Sequence, residues 1–452
     1  SLFLDEPAVR TRDGRIRPRL AKDEEFRERI THQVVLDEFK DYFHEELYEG
    51  HPANLLEGLA ARSDVDIGDM KFLQRNMYTW ETMVASAAHQ LSVEKNGPPA
   101  YIVFEPPGRF GTRRVLPEMN MAYGCQIPVD DQSNFISIIY GFLRGAARCT
   151  GKGWGTSIYG AVDRTDAFWF LTHAYDLGAR GFFFWDSYQL ACVPFHECLA
   201  LARNLKGHIE NHPHRDMDKL LQAAEVAILL PPGYNLGHVH MGRGNLWGLN
   251  ELNLERENEY GTKYRTVMSN FFTEIERYLR LGVSFDLVWD LTGVQLGGYR
   301  EVVRVREDGQ VEIESGGRSV LRSGPRTPIR PEGVPPKLEV EISRPGNALP
   351  ARVEARARLT ETSAPVYYTR GADSKGVYNN VMVCWELFGP EEEDYRFLLQ
   401  EVGKPTIYKE GSEITVEIDF PIKQPGEYRL RAATVDLAGR TSVEWEEFVV
   451  GN

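Results

Sequence analysis

The sequence predicts an α/β protein in three parts: a partial or complete (β/α)8 barrel, a smaller α/β domain and a β-sandwich. Over residues 1–215, short apolar segments alternate with amphipathic helical segments, as in a parallel sheet covered on both faces. The alternation resumes over residues 216–321. A Pro-rich linker at 322–336 then leads into residues 337–452, where apolar and polar residues alternate with the period of two that is typical of sandwich strands.

In the first part, five apolar segments are predicted to be strands. They are residues 1–8, 100–107, 119–125, 153–160 and 181–186. The predicted helices are residues 23–48, 72–93, 136–148, 166–178 and 193–210. A closed barrel has eight strands, and five are predicted here.

The second part is predicted to be a small α/β domain. Its predicted strands are residues 224–232 and 284–290, with a helix at 269–283 between them. Short β segments follow from about residue 293 to the linker. Strands of uniformly apolar residues around an amphipathic helix again indicate a buried parallel sheet.

Charge and cysteine content exclude several functional classes. The formal net charge of −14 argues against nucleic acid and anionic membranes as partners. The basic run at residues 10–19 is predicted to be a solvated loop. Five scattered cysteines are not typical of a disulfide framework. Cys192, His196 and Cys198 lie close together but lack the spacing and the fourth ligand of a metal site. We therefore expect no metal and no cofactor.

Four segments carry a resemblance to a known family. They are LDEPA (4–8), HQVVLDEFKDYFHEEL (32–47), residues 69–105 and LTHAYDLGARGFFFWDS (171–187). In this order, and with the three-part organisation, the chain resembles the β-galactosidases of glycoside hydrolase family 42 and their clan-A relatives. The resemblance implies a (β/α)8 barrel, a flavodoxin-like trimerisation domain and a β-sandwich. It assigns the predicted strands of residues 1–215 to barrel strands 4–8, so strands 1–3 would lie upstream or in another chain. It also implies hydrolysis of a β-linked carbohydrate.

The resemblance places the proton donor at Glu6, which ends the first predicted strand. Asp5 stands where the family has Asn and would bind a sugar hydroxyl. Glycoside hydrolysis needs a second carboxyl group, and barrel sites collect at the carboxyl ends of strands. Glu105 and Asp186 each end a predicted strand, so they are the candidates for that role.

One departure from the family concerns the strand-7 nucleophile, which is a Glu in those enzymes. The corresponding segment here, GWGTSIYG (153–160), contains no carboxylate, and Tyr159 stands near the expected position. A Tyr side chain can act as a nucleophile or a general base. Two alternatives therefore stay open: a carbohydrate-binding relative that has lost hydrolysis, and a polysaccharide lyase that uses Tyr159.

Aromatic residues complete the predicted site and suggest self-association. Trp154, Trp185 and Trp247 are candidate platforms for stacking on a sugar ring. Trp247 and Tyr234 are also expected to anchor a homo-oligomeric interface, a trimer or a dimer, because large aromatics dominate interfaces. The expected partner is an oligosaccharide or polysaccharide. The sequence indicates a soluble protein and leaves the cytoplasm, the periplasm and secretion open as compartments.

Overall fold

A computed structural model describes part of the chain. The described residues are 12–29, 34, 37–38, 41, 101–104, 115–158, 164–184, 194–232, 234, 254–322, 332–343, 348–373, 376–391, 396–401 and 413–451. They form two units. Unit 1 takes the described residues that lie within 1–112, 135–249 and 278–324, and unit 2 takes those within 113–134, 250–277 and 325–452. The protein is a mixed α/β structure with several sheets.

The elements are numbered in chain order. After a π-helical turn at Arg12–Ile16, the helices are α1 (Arg17–Lys22), α2 (Glu24–Arg29), α3 (Val115–Tyr123), α4 (Gln132–Thr150), α5 (Arg164–Asp176), α6 (Phe195–Asn211), α7 (Met217–Leu221) and α8 (Tyr264–Leu281). The strands of unit 1 are β1 (Tyr101–Phe104), β2 (Gly153–Ile158), β3 (Gly181–Phe184), β4 (Val226–Leu230), β5 (Phe285–Trp289), β6 (Glu301–Val305), β7 (Val311–Ser315) and β8 (Arg318–Arg322). Those of unit 2 are β9 (Lys337–Ser343), β10 (Ala351–Thr360), β11 (Tyr368–Asp373), β12 (Gly376–Phe388), β13 (Arg396–Glu401), β14 (Ile414–Ile422), β15 (Gly426–Val435) and β16 (Thr441–Val450).

The first sheet of unit 1 is parallel, in the order β1-β2-β3. Helix α4 precedes β2 in the chain and α5 connects β2 to β3. Such helical crossovers return the chain to the same edge of the sheet, which makes neighbouring strands parallel. The described elements confirm the strands predicted at 100–107, 153–160 and 181–186 and the helices predicted at 136–148, 166–178 and 193–210.

The second sheet of unit 1 has the order β5-β4-β6-β7-β8. Strands β5, β4 and β6 are parallel, and β6, β7 and β8 are antiparallel. Every residue of β4 and β5 is buried. Fully buried strands, here apolar apart from Asp286, are typical of a parallel sheet covered on both faces, and the strands predicted at 224–232 and 284–290 are confirmed.

Unit 2 contains two antiparallel sheets. One has the order β14-β10-β9; the other has the order β11-β12-β15-β16, with β13 also paired to β12. Buried and exposed residues alternate strictly along β14 and almost throughout β10. Their inward residues, such as Val353 and Phe420, share one hydrophobic core with Trp385 and Leu430 of the other sheet. Burial of one face of each sheet therefore holds these strands together.

The prediction of a strand at 119–125 is wrong, because Val115–Tyr123 form helix α3. Gly124, with a φ of 72°, ends the helix, and its N–H donates to the carbonyl of Asn120 at 2.8 Å. The buried amide of Asn120 then holds the next segment. Its Oδ1 accepts from the N–H of Ile127 at 3.0 Å, and its Nδ2 donates to the carbonyl of Ile127 at 2.7 Å. A short apolar run suits either a helix or a strand, so these contacts decide the outcome.

The N-terminal predictions are only partly covered by the described residues. The loop predicted at 10–19 is wrong over its described part, which is helical from Arg12 onward. The guanidinium of Arg19 lies over the ring of the buried Phe26, 3.9 Å from its centroid, a cation–π contact. Helix α2 confirms the start of the helix predicted at 23–48. The strand predicted at 1–8 and the helix predicted at 72–93 lie outside the described residues.

The pairing of β2 with β3 depends on a glycine. Gly155 lies opposite Gly181, and a Cβ atom added at position 155 would lie 2.3 Å from the carbonyl oxygen of Gly181. We therefore predict that Gly155→Ala lowers the free energy of unfolding by roughly 1–3 kcal/mol, the usual cost of overpacking. Gly207→Ala is the control, since that helical site has open space and gains about 1 kcal/mol from helix propensity. Equal stabilities of the two variants in urea denaturation would contradict the prediction.

Candidate functional site

The sequence-predicted site residues follow directly from three strands of the first sheet. Strands β1, β2 and β3 end at Phe104, Ile158 and Phe184, and the register pairs Phe104 with Thr156 and Ile158 with Phe184. Because the strands are parallel, their carboxyl ends lie at one edge of the sheet. Three of the residues predicted to act in catalysis come next in the sequence, within two positions of those ends: Glu105, Tyr159 and Asp186.

Seven of the eight predicted site residues lie outside the described residues. They are Asp5, Glu6, Glu105, Tyr159, Trp185, Asp186 and Trp247. Their roles stay predictions. The described structure shows the ends of β1, β2 and β3, which Glu105, Tyr159 and Asp186 follow in the sequence. The edge formed by the ends of β1, β2 and β3 is called the carboxyl edge below.

Trp154 is the predicted site residue that the structure describes. It lies in β2, its side chain is fully buried, and its ring packs against Tyr140 of α4 with a centroid separation of 5.2 Å. Tyr140 in turn donates a hydrogen bond to the carbonyl of Phe170 in α5 at 2.8 Å. The indole therefore has no exposed face on which a sugar could stack. Trp154 packs the sheet against its two helices.

Tyr234, expected to be an interface anchor, is buried in unit 1 with 3 % of its surface exposed. A side chain in that position has no surface to offer a second copy of the chain. The other expected anchor, Trp247, lies outside the described residues.

A buried charged cluster in unit 1 was not predicted from the sequence. Asp286 of β5 has no exposed surface. Its Oδ1 accepts a hydrogen bond from Nε of Arg144 at 2.6 Å, and its Oδ2 accepts one from the hydroxyl of Tyr299 at 2.7 Å. Arg148 lies 3.8 Å from the same carboxylate. We call these four residues the Asp286 cluster.

The sequence carries a signal for the Asp286 cluster. Arg144 and Arg148 stand four positions apart within the apolar helix α4, which puts them on one helix face. Asp286 interrupts the apolar strand β5. Charged residues inside apolar segments are almost never buried without partners, so this pattern indicates that the strand and the helix are joined by an ion pair.

The geometry of the Asp286 cluster suits structural support better than proton transfer. Arg144 also donates to the hydroxyl of Ser284 at 3.1 Å and to the carbonyl of Phe285 at 2.8 Å. Burial, with the nearby Asp286 charge, raises the pKa of Tyr299 far above its ordinary value. Burial likewise raises the pKa of Cys149 to about 12. Both groups stay protonated at neutral pH, and each carboxylate oxygen of Asp286 already accepts a hydrogen bond.

Unit 2 has a comparable cluster around Glu386 of β12, which is also fully buried. Its two oxygens accept hydrogen bonds at 2.7 Å, one from Arg265 of α8 and one from Arg431 of β15. Arg265 also donates to Glu255 at 2.6 Å. Burial lowers the pKa of Arg431, but an arginine this close to a carboxylate stays charged. The cluster attaches α8 to the sheet of β12 and β15.

Metal and membrane features are absent from the described part of the chain. Its His, Cys, Asp and Glu residues form no group of three or more that could hold a metal ion. None of its helices combines the length and the apolar composition needed to cross a bilayer.

No family model and no curated protein matches this sequence. A proposal for its function therefore depends on the residues and on the geometry described above.

The Asp286 cluster yields a stability prediction. Asp286→Asn should lower the free energy of unfolding by about 3–5 kcal/mol, because it leaves two buried guanidinium groups facing a neutral amide. Asp290→Asn is a matched control just after the end of β5. The side chains of Asp290 and its ion-pair partner Arg304 are each about 30 % exposed, so this pair should contribute at most about 1 kcal/mol. Chemical denaturation of both variants tests this, and similar losses for both would contradict the buried-pair interpretation.

Proposed function

We propose that the chain is a glycoside hydrolase that acts on a β-linked carbohydrate, in the manner of a β-galactosidase. In this proposal β1, β2 and β3 belong to a (β/α)8 barrel, and the active site lies at the carboxyl edge. The observation that carries it is the parallel order of these three strands, each of which runs directly into a proposed site residue. Barrel enzymes build their active sites at this edge.

The proposed chemistry uses two carboxyl groups on either side of the glycosidic oxygen. Glu6 donates the proton to the leaving group, and Glu105 or Asp186 serves as the second carboxylate. Asp5 binds a sugar hydroxyl, and Trp185 and Trp247 stack on sugar rings. Trp154 has no part in the proposal, because its side chain is buried against α4. Parallel strands support the arrangement, since their carboxyl ends bring acids from distant sequence positions to one edge.

A second candidate follows from the end of β2. The residues after Ile158 are Tyr159 and Gly160, with no carboxylate at the position where the resembled family has its nucleophile. This favours either a relative that binds carbohydrate without hydrolysing it or a lyase in which Tyr159 moves the proton. The three functions differ in product, so one set of variants separates them.

We predict that Glu6→Gln lowers turnover of a β-linked chromogenic glycoside or oligosaccharide by roughly a hundredfold or more, the scale of general acid catalysis. Binding should change less, because the amide keeps the shape of the carboxyl group. Glu225→Gln is a matched control, since its ion pair with Arg300 is about half-exposed at a site with no proposed role. Initial rates and calorimetric binding of both variants provide the measurement.

The outcomes separate the candidates. Wild-type turnover by Glu6→Gln would refute Glu6 as the proton donor. Loss of activity in Tyr159→Phe, with an ultraviolet-absorbing unsaturated product from the wild type, would identify the lyase. Saturable binding of oligosaccharide without turnover by the wild type would identify the non-hydrolytic relative. For the hydrolase, the anomer first released reports the carboxylate spacing: retention means about 5 Å, and inversion means about 6.5–9.5 Å.

A further inference from the structure

A cleft of about 400 Å³ lies in unit 1 where the ends of α5 and α6 approach the start of β3. Its lining includes Tyr175, Arg180, Phe182, Ile209, Arg215 and Met217. The volume is within the range of roughly 300–1,000 Å³ that small-molecule sites occupy. Two guanidinium groups and several apolar side chains line this cleft, in a protein whose formal net charge is −14.

Contacts with the backbone and with an aromatic ring hold Arg215 in place. Its Nη1 donates to the carbonyl of Tyr175 at 2.6 Å and to that of Ala179 at 2.9 Å. Its guanidinium lies over the ring of Tyr175, 3.6 Å from the centroid. Tyr175 is itself fixed, because its hydroxyl donates to the carbonyl of His212 at 2.8 Å. The remaining donors of Arg215 are therefore held in one orientation beside the cleft.

Arg180 adds a second positive charge. It is exposed, and its backbone N–H donates to the carbonyl of Trp154 at 2.8 Å, which anchors the residue at the start of β3. Within the described residues, neither Arg180 nor Arg215 has a carboxylate within ion-pair distance. The nearby Asp176 is instead bonded to Nε2 of His208 at 2.7 Å. The like charges of Arg180 and Arg215 line the same cleft and repel each other, and an anion bound by both would offset that repulsion.

The walls of the cleft indicate what the anion is attached to. Phe182, Ile209 and Met217 are half-buried, and the ring of Tyr175 is buried beneath Arg215. Apolar side chains beside a small number of fixed polar groups are typical of sites for small organic ligands. Guanidinium groups recognise carboxylate and phosphate groups through paired, charge-assisted hydrogen bonds.

We propose that this cleft binds a small organic anion: a carboxylate or phosphate group carried on an apolar body. Arg180 and Arg215 hold the charged group, and the body lies against Phe182, Ile209 and Met217. The cleft is separate from the proposed catalytic site, because Arg180 directly precedes the first residue of β3, whereas the carboxyl edge lies at the strand's other end. Parallel strands place these two sites at opposite edges of the sheet.

The test uses the whole chain and isothermal titration calorimetry at low ionic strength. The probes are phenyl phosphate and benzoate, which carry both features, with inorganic phosphate and phenol carrying one each. We expect saturable binding of at least one of the first two, and weaker binding of both single-feature probes. Comparing phenyl phosphate with benzoate shows which oxyanion the cleft prefers.

Arg180→Gln should weaken the preferred probe about tenfold or more, as expected for the loss of a charge-assisted hydrogen bond. Arg203→Gln removes the same charge from an exposed position on α6 outside the cleft and should leave binding unchanged. The proposal is overturned if neither phenyl phosphate nor benzoate binds saturably. It is also overturned if the two variants bind alike, since the attraction would then come from overall charge.

Discussion

The packing of helix α4 is the constraint on which unit 1 depends, because this one helix contacts both sheets of the unit. Tyr140 packs on Trp154 of β2. On the other side, Gly145 approaches β5 so closely that a Cβ atom would lie 2.6 Å from the carbonyl oxygen of Leu287. A larger residue would push the helix away from the strand. The flanking Arg144 and Arg148 would then lose their contacts with Asp286.

In each unit, a buried carboxylate stabilises the packing of a helix against a sheet. Asp286 in unit 1 and Glu386 in unit 2 are each fully buried and each lie near two arginines. Removing a carboxylate from water is costly, and hydrogen-bonded partners of opposite charge offset that cost. A buried ion pair offsets that cost only when its hydrogen-bond geometry is good, so it favours one packing orientation of the helix against the sheet. Neither buried carboxylate belongs to the proposed catalytic residues or to the cleft beside Arg180.

Most described elements could be predicted from the sequence because their apolar patterns have a clear period. The alternation along β10 and β14, the uniformly apolar β4 and the mostly apolar β5 are of this kind. Residues 119–125 have no such period, and a buried amide, Asn120, decided in favour of a helix. Strands β11 and β13 were not predicted. For the site, the strands that precede Glu105, Tyr159 and Asp186 in the sequence were predicted. The burial of Trp154 was not, because the sequence pattern around a tryptophan does not show whether it packs a core or binds a ligand.

The sequence by itself determined the mixed α/β class, the positions of the parallel strands and the acids that follow them. These are local properties: the periodicity of burial and the residue that comes after a strand. Only the tertiary structure decided that β1, β2 and β3 are neighbours in that order, that Asp286 pairs with arginines some 140 positions away in the chain, and that Arg180 and Arg215 line one cleft. The reason is physical: contacts between distant residues depend on how helices and sheets pack, and no local pattern records that packing.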